Sequence, residues 1–371
     1  MKILCICYEY PPVGGGGATV CQQLNEALVA AGHEIHIVTS WMKGLPNVSV
    51  ENGVHVHRVH CFRRHRHYST SVELLTQLLP SYRAAIRLAR DVKFDLIHCH
   101  FVVPSGLVAR WVSKATGLPY VITAHGSDIP EFNPDRFDML HRVIAPVWRR
   151  ILSDASRVTV SSRFLRNLIA KRSAVPVDLI PNGFDLTEPN LSERRNRILV
   201  ASRIVERKGI QDLIRALAHC DTDWEICIAG DGPYLRHVKS LARELDVDAN
   251  FLGFVGRKDL QAYYDSSKLF VFPSHQENFP MVLVEAMAAG CAVISTNAEG
   301  CVEVARSGAL FYDPGDTAAL SHLIKRAVND PELIYKMQAH SLAAVRYFDI
   351  KQVAREFLRI FNATNKDHGR E

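Results

Sequence analysis

The chain of 371 residues has no apolar run of the roughly 18–20 residues that a membrane-spanning helix needs, and it has no repeat or low-complexity tract. Its nine cysteines include no Cys-x-x-Cys pair and are odd in number. Most lie inside apolar segments (Cys5, Cys7, Cys99, Cys227, Cys291), the pattern of reduced, buried thiols and not of a disulfide scaffold. Residues 3–7, ahead of Tyr8-Glu9-Tyr10-Pro11-Pro12, are too few for a secretory signal, so a cytoplasmic protein is expected. Charge is moderate at 22%, with 47% apolar residues, ordinary for a globular enzyme and unlike a disordered chain. The length fits two domains or three.

The net charge of +5 is unevenly placed. Residues 1–185 carry 21 Lys and Arg against 14 Asp and Glu; residues 186–371 carry 23 against 25. A basic first half suits an anionic ligand or an anionic membrane, and equally an ordinary solvated surface. Nucleic acid is not an expected partner, because the charge is modest and no recognition module is present.

Short apolar runs alternate with helical spacing in both halves. The first half reads as strands at 3–8, 34–39, 95–98, 120–124 and 157–161, with 54–59 as an edge strand. Helices at 18–31, 72–90, 104–115 and 142–153 separate them. A polar stretch near 185–195 follows Pro181-Asn182-Gly183, and the alternation restarts at 198–201. Two parallel α/β sheets in tandem are predicted: a first Rossmann-like domain at 1–185 and a second at 186–349. A last helix spans 350–362, and a tail at 363–371 is expected to be disordered. Each sheet should bind ligand at the carboxyl ends of its strands, with a cleft between the two edges.

Four motifs fall at such ends. Gly14-Gly15-Gly16-Gly17 follows the first strand, where glycines and a helix start favour phosphate. It is neither a dinucleotide fingerprint, since Thr19 and Val20 stand where a small residue is required, nor a P-loop. Arg203 and Lys208 bracket the loop after 198–201 and suit a diphosphate clamp. Glu277-Asn278-Phe279-Pro280-Met281-Val282-Leu283-Val284-Glu285 sets two carboxylates around a helix start; Pro280 suits the first turn, and Glu285 among apolar neighbours needs a partner. Thr123-Ala124-His125-Gly126-Ser127-Asp128 puts a histidine at a strand end. Most other histidines, His55, His57 and His60 among them, fit exposed strand positions. His98 and His100 would share one face of a strand, without a third metal ligand.

Together these residues resemble the retaining, nucleotide-sugar-dependent glycosyltransferases of the GT-B fold, the "group 1" family. The most specific match is the E-x7-E motif, Glu277 to Glu285, continuing into Ala286-Met287-Ala288-Ala289-Gly290. Gly230-Asp231-Gly232-Pro233, Gly253-Phe254-Val255 and Phe272-Pro273-Ser274 support it by order and spacing. The resemblance implies that Arg203 and Lys208 hold the donor diphosphate, that Glu285 binds ribose hydroxyls and that Glu277 binds the donor sugar. It implies sugar and phosphate contacts from Phe279, Pro280, Met281 and Val282, base contacts from Phe254 and Val255, and a donor contact at Gly230. Gly15 and Gly16 would approach the diphosphate. His125 would stand near the anomeric carbon, with Asp128 a second catalytic candidate beside it.

The expected reaction is transfer of a hexose-type sugar from a UDP- or GDP-sugar to a glycan, lipid-linked or small-molecule hydroxyl, with retention. No cofactor and no metal are expected, since cations and a helix start can stabilise the leaving diphosphate. Asp221-Thr222-Asp223 and Asp246-Val247-Asp248 match the metal triplet of another glycosyltransferase fold but precede strands, and are read as loop acids. Asn278 and Ser202 stand where the family commonly has glycine. An epimerase on the same fold and a catalytically silent partner subunit are the alternatives. Residues 61–68 (Cys61-Phe62-Arg63-Arg64-His65-Arg66-His67-Tyr68), with Arg83, Arg87 and Arg90, read as a basic surface for the inner face of a cytoplasmic membrane or as a solvated helix face. A place in polysaccharide biosynthesis is expected.

Overall fold

In a computed structural model of the chain, which describes residues 1–66, 69–129, 134–189, 191 and 194–369, the apolar runs form two separate sheets. Of residues 134–143 only the backbone is described. The chain divides into Met1–Asp185 with Ile350–Glu371, and Leu186–Asp349. His67, Tyr68 and part of the polar stretch near 185–195 lie outside the described residues.

The first unit contains β1 (Lys2–Ile6), α1 (Gly16–Ala30), β2 (Glu34–Ser40), β3 (Val48–Glu51), β4 (Val54–Val59), α2 (Ser71–Thr76), α3 (Leu78–Asp91) and β5 (Leu96–His100). It continues through α4 (Ser105–Thr116), β6 (Tyr120–Ala124), α5 (Pro134–Ser153), β7 (Arg157–Val160), α6 (Arg163–Ala170) and β8 (Val177–Leu179). Among the described residues eight strands run in the order β3-β4-β2-β1-β5-β6-β7-β8, with only β3 antiparallel to its neighbour. Ile3 of β1 pairs with Ile35 of β2 on one side and Leu96 of β5 on the other. Strands buried on both faces explain the nearly unbroken apolar runs. One face packs Leu4, Ile6, Ile97 and Ile122 under α3 to α5.

The second unit contains β9 (Arg195–Ala201), a single 3-10 turn at Glu206–Lys208, α7 (Ile210–Leu217), β10 (Glu225–Ala229), α8 (Leu235–Glu244), β11 (Asn250–Gly253) and α9 (Arg257–Ser266). After it come β12 (Ser267–Phe272), α10 (Met281–Ala288), β13 (Ala292–Thr296), α11 (Glu299–Ala305), β14 (Leu310–Tyr312), α12 (Thr317–Asn329) and α13 (Pro331–Val345). Its sheet is wholly parallel in the order β11-β10-β9-β12-β13-β14.

The last helix, α14 (Ile350–His368), belongs to the first unit, where Phe357 and Phe361 are buried with Ile3, Cys5 and Leu24 on the face that α1 also covers. A Cβ on Gly183 would lie 2.4 Å from Ile350 Cδ1, so the glycine of Pro181-Asn182-Gly183 admits the start of this helix. Three expectations need correction. The helix extends through His368, so most of 363–371 is not a tail, because Phe361 and Thr364 are buried. The strand at 54–59 is not an edge: β3 covers it, leaving His55 and His57 half-buried. The helix at 72–90 is two helices, since Pro80 has no N–H for a bond to the Thr76 carbonyl and its ring crowds that turn.

Candidate active site

In the second sheet the strand order reverses between β9 and β12, which places a ligand crevice outside the carboxyl ends of those strands. Residues 202–209 leave β9 there and residues 273–280 leave β12. The two loops are joined by the His275 N–H, which donates to the Arg207 carbonyl at 2.9 Å. Gly209 has φ +67°, and a Cβ on it would come 2.0 Å from the Pro273 carbonyl oxygen, so only glycine allows this approach.

That junction brings two of the expected site residues together: Lys208 and Glu277 form an ion pair, with side chains only 14% and 12% exposed. The Lys208 ammonium also lies 5.6 Å from the centroid of the Phe272 ring. Arg203 is exposed at the end of β9. Gly230, φ +147°, stands at the end of β10, where a Cβ would meet the Ser202 carbonyl oxygen at 1.8 Å. Phe254, 69% exposed, and half-buried Val255 follow β11.

Pro280 is the cap of α10, immediately before the first turn and not within it. Phe279, Met281 and Val282 are half-buried around this helix start, whose leading N–H groups have no acceptor within the helix. Glu285 sits four residues beyond Met281. Its carboxylate accepts a hydrogen bond from the Tyr264 hydroxyl at 3.1 Å, the partner its apolar surroundings demanded. Burial raises its pKa, opposed by the Arg257 charge. The two Asp-x-Asp triplets lie ahead of β10 and β11, at the amino ends of strands, opposite this edge.

The first sheet reverses between β1 and β5. The four glycines after β1 divide by role. A Cβ on Gly14 would lie 2.7 Å from Glu9 Cβ, and one on Gly17 would lie 2.5 Å from Phe101 Cζ, whereas one on Gly15 or Gly16 would meet no non-neighbouring heavy atom within 4 Å among the described residues. Gly15 caps α1, so the open side of the loop is the helix start.

His125 lies at the end of β6, its Nε2 2.9 Å from His100 Nδ1 and its ring 4.5 Å from that of Phe101. Burial pushes its pKa down to about 4, so the ring is neutral at pH 7. Asp128 lies three residues beyond His125 and is buried. One carboxylate oxygen accepts the Val102 N–H at 2.7 Å, and the other accepts the N–H groups of His125 (3.1 Å) and Gly126 (2.9 Å), which fixes the loop after β6.

Sequence reasoning missed Glu9. It is 7% exposed beneath the glycine loop, accepts backbone hydrogen bonds from Gly15 and Ala18, and is pushed up to about 7 by burial against the nearby Arg63 charge. The signal was a carboxylate directly ahead of Pro11-Pro12 and the glycines. The basic segment touches the same loop: the Gly14 N–H donates to the Arg66 carbonyl at 2.7 Å, and Arg63 donates to the carbonyls of Tyr8, His65 and Arg66. Arg63 thus braces the loop.

Two family models match successive parts of the chain: "Glycosyltransferase Family 4" over residues 14–188 and "Glycosyl transferases group 1" over residues 184–341. The chain is a GT-B glycosyltransferase. This glycosyltransferase is 26% identical to the N-acetyl-alpha-D-glucosaminyl L-malate synthase of Bacillus anthracis, over 99% of its own length and 98% of the relative's. In fold it matches sucrose-phosphate synthase from Thermosynechococcus elongatus with a TM-score of 0.81 at 22% identity, covering 98% of this chain and 99% of that one. It matches Anabaena HepE, solved in complex with UDP-glucose, with a TM-score of 0.76 at 20% identity, covering 98% and 100%.

Proposed function

We propose that this glycosyltransferase moves a hexose-type sugar from a UDP- or GDP-sugar to a hydroxyl of a glycan, a lipid-linked or a small-molecule acceptor, with retention of configuration and without a metal at the phosphates. The observation that carries this reading is the Lys208–Glu277 ion pair at the start of α10. A cation there can pass from the carboxylate to the diphosphate, while Glu277 turns to the sugar hydroxyls. Arg203, Lys208 and the helix N–H groups then oppose the charge that grows on the leaving group. Glu285 holds the ribose, Phe254 and Val255 meet the base, and Gly230 leaves room for the donor. Gly15, Gly16 and His125 take the roles that the family resemblance gives them. The HepE complex with UDP-glucose and the N-acetylglucosaminyl name of the Bacillus relative support a UDP-linked donor.

The enzyme is proposed to act in the cytoplasm, against the inner face of an anionic membrane, in polysaccharide or glycolipid synthesis. Among the described residues no helix is long and apolar enough to cross a membrane. The support is the surface formed by Phe62, Val72, Leu75 and Leu79, each at least half exposed, beside Arg64 and the exposed Arg83, Arg87 and Arg90 of α3.

The test is sugar transfer with EDTA present. Arg203→Ala and Lys208→Ala should each lower kcat/KM by the equivalent of about 1.5–3 kcal/mol, the worth of a charged hydrogen bond. Wild-type rates in both variants would contradict the clamp. Donor turnover with no acceptor-linked product would favour the epimerase.

A further inference from the structure

We propose that Cys5, Cys21 and His100 form a buried zinc site in the first unit, separate from the residues that handle the sugar donor. The three come from β1, α1 and the end of β5, and their ligand atoms lie within 4.8 Å of one another. All three residues are completely buried. The sequence offered His98 and His100 with no third ligand; the fold supplies two sulfurs beside His100 instead.

Three independent features point to a soft divalent cation. The Cys5 and Cys21 sulfurs are 3.8 Å apart. Two thiolates on one tetrahedral zinc, with Zn–S near 2.3 Å, stand about 3.8 Å apart, whereas a disulfide requires about 2.05 Å. His100 Nε2 is buried and has no hydrogen-bond partner among the described residues. Its Nδ1 is engaged with His125 at 2.9 Å, the outer hydrogen bond that orients a ligating imidazole. Asn25 Nδ2 lies 3.5 Å from both sulfurs, placed to donate to thiolates.

Charge selects the ion. Two thiolates and a neutral imidazole balance a divalent cation, so the site is neutral as a whole and its complete burial is affordable; a monovalent copper would leave one negative charge unopposed. Binding displaces the two thiol protons to solvent, with no change in oxidation state. A neutral fourth donor completes the tetrahedron and keeps that charge balance. Ligation at Nε2 puts the ring proton of His100 on Nδ1, so that His100 donates to His125 Nε2. The metal thereby orients a histidine at the transfer site without touching substrate.

The measurement is metal content of the full chain, purified without a histidine tag and dialysed against EDTA. A second sample is unfolded in chelator and refolded with Co2+. Stoichiometric zinc, a thiolate-to-cobalt charge-transfer band and tetrahedral visible bands are expected. In Cys21→Ser bound metal should fall by more than about tenfold, with Cys220→Ser as an unaffected control. If Cys21→Ser does not fold, the wild-type cobalt spectrum decides alone. Zinc-free protein with no charge-transfer band, a band that persists in Cys21→Ser, or a Cys5–Cys21 disulfide found by mass spectrometry would each overturn the site. None of these readings depends on sugar transfer.

Discussion

His57 shows how one residue's environment becomes a property of the enzyme. Its Nε2 lies 3.2 Å from His36 Nδ1, and the rings of His36, His55 and His57 stack, with Glu34 on the far side of His36. Burial, followed by the charges of His36 and His55, lowers its pKa to about 4. An unfolded histidine titrates near 6.5, so between those values the unfolded chain binds the extra proton. The stability this neutral ring contributes is present above pH 6.5 and lost as the pH falls toward 4. Urea midpoints across that range should drop for wild type and less for His57→Gln; parallel curves would contradict the account. Such a shift was not legible in the sequence, where His57 read as an exposed strand residue. The cause is β3, whose alternation Val48-Ser49-Val50-Glu51 is only four residues long and turns its valines outward. Glu9 was missed for a related reason: its burial comes from the glycine loop folding over it.

At the scale of elements, strongly apolar strands and their following helices were readable because each parallel strand is buried on both faces. The elements that escaped are the short strands β3, β8 and β14, each of three or four residues, and the helices α6, α11, α12 and α13, the last two of 13 and 15 residues. Pro280 was read one position too deep, since a proline satisfies both the cap and the first turn sterically. The break between α2 and α3 matters for the proposed membrane surface. Thr70 and Glu73 form a capping box that starts α2 afresh, turning Val72 and Leu75 outward with 64% and 65% exposure. Leu75→Ser with Leu79→Ser should weaken co-sedimentation with phosphatidylglycerol vesicles several-fold at low salt, and Arg64→Glu should do the same. Arg63 is unsuitable for this test because it holds backbone carbonyls of the glycine loop. No binding of wild type, or equal binding of all variants, would remove the membrane from the account.

Across the whole molecule, the two alternating α/β patterns were enough to predict two parallel-sheet domains with ligand loops at strand carboxyl ends, and the GT-B fold followed from the family resemblance that the order of motifs carries. Contacts between distant residues were not legible. Lys208 and Glu277 lie 69 positions apart, and Cys5 and His100 lie 95 apart; only the fold joins them. The separation into units also accounts for α14, whose sequence follows the second unit while its apolar face completes the first.

The most direct test of the central claim is calorimetric titration of the purified enzyme with UDP, GDP, ADP and NAD in the presence of EDTA. Tight binding of one nucleoside diphosphate, weakened at least about tenfold in Arg203→Ala, is the predicted result. Binding of NAD alone, or of none of the four, would contradict the donor site described at the end of β9 and the start of α10.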